Sequence, residues 1–155
     1  MKKGYGNQMT NSETHKHQTV LCIDYGTKNI GLCLYKIGID PFPMPFYQFK
    51  NHSQESSIKE ITTVIDDEAV DLVVLGLPLH KDGNDSEMTK LVRKFETDLS
   101  SNIDQTIFFQ NEFLTSYEAE DRMKNSARYN FKIDKNQVDS LAASIILEEW
   151  LKSNS

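Results

Sequence analysis

The stretch Val20–Lys36, VLCIDYGTKNIGLCLYK, limits what this chain can become. Two apolar runs, Val20–Tyr25 and Ile30–Tyr35, are too short for helices and rich in β-formers. They flank Gly26-Thr27-Lys28-Asn29, a break with turn chemistry, so the stretch predicts a β-hairpin. Asp24 interrupts an otherwise buried type of strand. A carboxylate there is costly unless it is paired, bound to a cation, or hydrogen-bonded to the backbone of the turn. The hairpin alone leaves these roles open.

A chain of 155 residues is long enough for one domain with a real core. No apolar run approaches bilayer-spanning length, which excludes a membrane role from the expectations. The start, MKKGYGNQMTNSETHKHQ, is basic but has no apolar segment behind it, unlike a secretory signal. Its composition predicts a disordered tail over residues 1–18, with His15 and His17 solvated in it, before a single domain over 19–153. Cys22 and Cys33 both lie in apolar strands, as reduced core thiols of a cytoplasmic protein would. The net charge of −6 argues mildly against general nucleic-acid binding but does not exclude a local basic patch.

After the hairpin, the proline-dense segment Gly38–Pro45 reads as a loop and Phe46–Lys50 as a third strand. Ser53–Glu68 has helical spacing in Ile58, Ile61, Val64 and Ile65. Asp71–Leu77 is a continuous apolar run of the kind buried on both faces of a sheet. A helix over Ser86–Leu99 is expected to bury Met88, Leu91, Val92, Phe95 and Leu99. Gln105–Gln110 is a fifth strand. Thr115–Lys124 is a short helix opened by a Thr115/Glu118 capping box. Asn125–Lys132 reads as irregular and basic, and the last helix runs over Asp134–Lys152 with Asp134 as its cap. The order predicts an α/β fold: a mixed five-stranded sheet, three antiparallel strands followed by parallel ones, with helices on both faces. Ligands bind such sheets at the carboxyl edge of the parallel strands.

Three acids converge on that edge. Asp24 ends the first strand and Glu112 follows the fifth. Asp139 sits in the first turns of the last helix, in line with Ala142/Ala143, Ile146 and Trp150, and so faces the sheet. Each has a plain structural reading: a turn cap, an exposed loop residue, a first-turn acid favoured by the helix dipole. Taken together they suit Mg²⁺ or Mn²⁺, because hard cations take carboxylate oxygen. Two such ions about 3.5–4 Å apart can activate water and stabilise the leaving oxygen in phosphodiester cleavage.

Four segments in order, IDYGTKNIGL (Ile23–Leu32), VVLGLPLHKDG (Val73–Gly83), NEFLTSYEAEDRM (Asn111–Met123) and VDSLAASIIL (Val138–Leu147), resemble the YqgF/RuvX family of RNase H-like proteins. That family comprises candidate Holliday junction resolvases or pre-16S rRNA nucleases. The resemblance spans about Val20 to Leu151 and implies the RNase H-like fold. It implies that Asp24, Glu112 and Asp139 are the catalytic and metal-binding acids, with Gly26, Thr27, Gly76 and Pro78 shaping the site. The chain departs from the family at Asn111 and Phe113, which replace the Asp and Arg around Glu112, and at Asn29, which replaces an Arg. The basic loop is thinner than usual. Arg122, Lys124, Arg128, Lys132 and Lys135 face one acid, Asp134, between positions 122 and 137, a local charge of +4. With Lys28 they are the expected nucleic-acid contacts, the alternative for the loop being a solvated segment. Tyr129 and Phe131 either stack on bases or anchor the loop.

The leading expectation is a metal-dependent nuclease, most simply for the 5′ end of pre-16S rRNA. Junction resolution in DNA is an alternative, for which a homodimer would match a two-fold substrate. Asp24–Asn29 also resembles the phosphate hairpin of actin-like ATPases, but those need a second such lobe, which this chain lacks. The third alternative is an inactive module that binds RNA or a ribosomal partner.

Overall fold

The computed structural model describes residues 18–80, 82–112 and 115–154. The expected tail therefore lies, apart from Gln18, outside the described residues, as does Phe113. Strands β1 (Thr19–Tyr25), β2 (Asn29–Lys36), β3 (Met44–Lys50), β4 (Leu72–Pro78) and β5 (Thr106–Glu112) form one sheet in the order β3-β2-β1-β4-β5. The β1–β2 and β2–β3 pairs are antiparallel, and the β1–β4 and β4–β5 pairs are parallel. This is the mixed sheet expected from the strand order.

Each strand's alternation divides the core. Leu21, Ile23, Ile30, Leu32, Val73 and Leu75 face helices α1 (Gln54–Asp67) and α2 (Glu87–Ser100), where Ile61, Phe95 and Leu99 meet them. On the other face Val20, Cys22, Cys33 and Val74 pack against Ala143, Ile146 and Leu147 of α4 (Val138–Ser153). Helix α3 (Thr115–Lys124) covers α4 through Ala119 and Met123. Both cysteines are buried free thiols, and they are direct partners across β1 and β2. Because β1 alternates, Asp24 points to the α4 face.

Several boundaries differ from the sequence reading, for physical reasons. Strand β3 begins at Met44, two residues early. Pro45 is tolerated because β3 is an edge strand with a register irregularity opposite Leu32 and Cys33. Leu91 is 43% exposed, and Thr89 takes its place in the buried stripe. Thr89 forms a capping box with Ser86 and donates its hydroxyl to the Pro78 carbonyl, so α2 grips the end of β4. The last helix starts at Val138, not Asp134. The Asp134 carboxylate instead closes a turn, accepting from the Asn136 N–H at 3.0 Å and the Gln137 side chain at 2.6 Å. The basic loop contains a single 3-10 turn, Ala127–Tyr129, followed by Asn130 and Phe131 in the left-handed region at φ 56° and 59°.

Helix α4 lies directly on β2 at one point. A Cβ placed on Gly31 would collide with the Asp139 carbonyl and stand 2.7 Å from the Ser140 nitrogen. We expect Gly31→Ala to push the first turn of α4 off the sheet and cost about 1–3 kcal/mol, the usual scale of overpacking. Thermal melting should show a drop of about 2–4 °C per kcal/mol for a chain of this size; an unchanged melting temperature would contradict the contact.

Candidate active site at the carboxyl edge of the sheet

Asp24, the penultimate residue of β1, pairs with Gly31, and Gly31 pairs with Gln48. Their side-chain positions form one row across three strands, on the α4 face. Glu112 is the last residue of β5, inside the strand rather than past it, and pairs with Pro78. Its carboxylate leans over Gly76, occupying the space that a Cβ there would need. The Thr115 hydroxyl donates to Glu112 Oε2 at 3.0 Å. Thr115 therefore serves Glu112 and not the capping box expected with Glu118. Asp139 reaches the same face from above, in the first turn of α4. The structure thus brings the three predicted acids to one edge, with Gly76 and Pro78 beside Glu112.

Their proximity has an electrostatic consequence. Burial raises the Asp24 carboxyl well above its usual range, and the charges of Glu112 and Asp139 raise it further. Asp24 keeps some solvent contact, but protein surrounds it densely. Burial also raises Glu112, with the Thr115 hydrogen bond opposing, and burial raises Asp139. Among the described residues no Lys or Arg forms an ion pair with any of the three. The donor chemistry fits a hard divalent cation, which would neutralise this excess of negative charge. Among the described residues no three acids, histidines or cysteines are positioned to hold an ion together.

Two residues that the sequence reading overlooked brace the site. Gln48 accepts from the backbone N–H of Asp139 at 2.9 Å, and its amide donates to Asp139 Oδ2 at 3.4 Å. Asn51 holds the β1–β2 turn: its amide donates to the Gly26 carbonyl at 2.9 Å and its N–H to the Lys28 carbonyl at 2.8 Å. Ser57 in turn donates to the Asn51 side chain at 2.7 Å. Thr27 and Lys28 are exposed at the tip of that turn.

The expected basic contacts divide. Lys124, Arg128, Lys132 and Lys135 are exposed, and the Lys135 carbonyl is bound by Gln48 close to Asp139. Arg122 instead bridges α3 and α4, with its guanidinium 2.9 Å from Glu118 and 3.0 Å from Glu148. Tyr129 packs on the cluster of Met123 and Leu141 and so anchors the loop, whereas Phe131 is 61% exposed.

An acid whose carboxyl is raised by folding is penalised for ionising in the folded state. That penalty is absent below the ordinary carboxyl range, near pH 4, develops as pH rises through it, and persists at neutral pH. With divalent cations chelated at pH 7, Asp24→Asn should therefore melt above wild type, by about 2–4 °C per kcal/mol relieved. The difference should vanish toward pH 4. Melting curves between pH 4 and 8 check this, and a destabilised variant at neutral pH would contradict it.

The fold and the chain both have known counterparts. Thermus thermophilus RuvC in complex with a Holliday junction substrate aligns with a TM-score of 0.57 at 8% identity, covering 89% of this chain and 97% of that one. The fowlpox virus Holliday junction resolvase aligns at a TM-score of 0.54 and 15% identity, covering 89% and 100%. At such identities the likeness is one of fold. Two relatives named as candidate pre-16S rRNA nucleases are nearer in sequence. The protein from Maridesulfovibrio salexigens is 38% identical over 135 residues, covering 85% of this chain and 96% of the relative. That from Shewanella oneidensis is 35% identical over 137 residues, covering 88% and 96%. Residues 18–153 match the family model described as "RuvX: Holliday junction resolvase", and the chain belongs to the RuvX (YqgF) family.

Proposed function

We propose that this chain is a metal-dependent nuclease acting on structured nucleic acid, and that its substrate is the 5′ region of a 16S rRNA precursor. The observation that carries the reading is the meeting of Asp24, Glu112 and Asp139 at one sheet edge, where among the described residues no Lys or Arg forms an ion pair with them. A buried carboxyl raised by desolvation and by two neighbouring acids, as Asp24 is, marks a candidate functional group. The three acids would hold Mg²⁺ or Mn²⁺, which when bound supplies charge neutralisation and activation of water for attack at phosphorus.

The chain's own residues set the geometry. Asp24 is fixed by a strand paired on both sides. Glu112 is turned toward the edge by Thr115 and given room by Gly76. Lys28, Lys132 and Lys135 offer exposed charge for a phosphate backbone. Arg122 contributes by locking α3 to α4, a use for a basic residue that makes no phosphate contact necessary. The RNA substrate is supported by the names of relatives matched along 96% of their length. A cytoplasmic location follows from that substrate, and among the described residues no helix is long and apolar enough to cross a membrane. A homodimer is the assembly to look for if the substrate is two-fold.

The test is cleavage by the purified protein with Mn²⁺ or Mg²⁺ present or chelated. The substrates are an rRNA-precursor leader, a four-way DNA junction and a plain duplex. We expect metal-dependent cutting of the leader that falls about 10²–10⁴-fold in Asp139→Asn, the scale on which single catalytic groups act. Preference for the junction would reassign the substrate. A folded, metal-binding protein that cuts none of the three would overturn the nuclease reading.

A further inference from the structure

Helix α4 has no cap from its own sequence. Its N-cap residue, Gln137, makes no side-chain hydrogen bond to the first turn. The leading amides of a helix need acceptors, and burial against a sheet shuts out water. Gln48 supplies the acceptor from β3, 91 residues away in sequence: its Oε1 takes the N–H of Asp139 at 2.9 Å and that of Ser140 at 3.3 Å. Its Nε2 points the other way, donating to the Lys135 carbonyl at 3.1 Å and, at 3.4 Å, to Asp139 Oδ2. One amide group thus holds the backbone that carries Asp139, the loop that leads into it, and one oxygen of its carboxylate.

We infer that Gln48 is a positioning residue for the Asp139 carboxylate, acting on the reaction through Asp139 without touching the substrate. This rests on the nuclease reading above. Gln48 is suited to the task because β3 is tied into the sheet: it pairs with Gly31, which pairs with Asp24, so the tether refers Asp139 to the strand that bears its partner acid. A long side chain fixed at both ends of its amide also selects one carboxylate rotamer over others. Groups that orient a metal-ligating carboxylate are worth about 10–100-fold in metal affinity or activity.

The experiment compares three variants of the full chain by thermal melting, Mn²⁺ titration calorimetry and steady-state cleavage. Gln48→Met keeps the volume and removes every bond. Gln48→Glu keeps an acceptor for both helix amides but at neutral pH cannot donate to the carboxylate or to the Lys135 carbonyl. Ser140→Ala removes a bond within the same first turn, from its hydroxyl to the Gln137 carbonyl at 3.1 Å, and leaves the carboxylate untouched. We expect Gln48→Met to weaken Mn²⁺ binding and lower kcat by about 10–100-fold with KM for nucleic acid unchanged. Gln48→Glu, which sets a second carboxylate beside Asp139 and loses the bond to the Lys135 carbonyl, should stay folded at a lowered melting temperature and show the same fall in kcat. Ser140→Ala should lower the melting temperature and leave Mn²⁺ affinity intact. Wild-type kcat in a folded Gln48→Glu protein, or equal loss of Mn²⁺ affinity in Ser140→Ala, would reduce Gln48 to a plain helix cap and overturn the inference. Failure of the nuclease reading is distinct: there the wild-type protein cuts none of the three substrates, and the Gln48 variants are then judged by their Mn²⁺ affinity against that of Ser140→Ala.

Discussion

The first turn of α4 rests on the bare backbone of Gly31, and the rest of the structure depends on that contact. Any side chain there would hold the helix away from β2. Close approach lets Ala143, Ile146 and Leu147 close the second face of the core over Cys22, Cys33 and Val74. It also brings Asp139 down to the level of Asp24. Packing and chemistry are set by the same missing Cβ. A second one, at Gly76, admits the Glu112 carboxylate on the far side of β1.

This arrangement sets two requirements against each other. Folding favours a neutral interior, but the edge of this sheet gathers three carboxylates whose ionisation burial opposes. The hydrogen bonds around them are placed to orient them: Thr115 holds Glu112, and Gln48 holds Asp139. None removes the charge. The molecule therefore keeps an electrostatic cost at this edge. The rigid sheet on one side and the α3–α4 pair, clamped by Arg122, on the other carry that cost.

Much of this was legible in the sequence because the signals are local. Asp24 and Glu112 stand at the ends of apolar strands, and Asp139 falls on the apolar stripe of its helix. Strand order followed from the lengths and spacing of apolar runs. The errors fall where a distant partner decides. Gln48 sits in FYQFK as an ordinary polar strand residue, and nothing nearby hints that it serves a helix end 91 positions on. Asp134 and Gln137 have the spacing of a helix start, but their side chains bond each other instead. Leu91 and Thr89 lie at the margin of one stripe. The Thr89 hydroxyl, satisfied by Ser86 and Pro78, can be buried, which leaves the leucine outside. Arg122 reads as free positive charge until Glu148, on another helix, is placed beside it.

Helix α4, the last element among the described residues, contributes both the lid of one core face and the third acid. Without it, Val20, Cys22 and Val74 have no cover on that side, and Asp24 faces only Glu112. The docking of α4 closes that face of the core and adds the third acid through one set of contacts between residues far apart in sequence. A chain that has not docked its final helix is thus unfolded on one face and chemically incomplete at once.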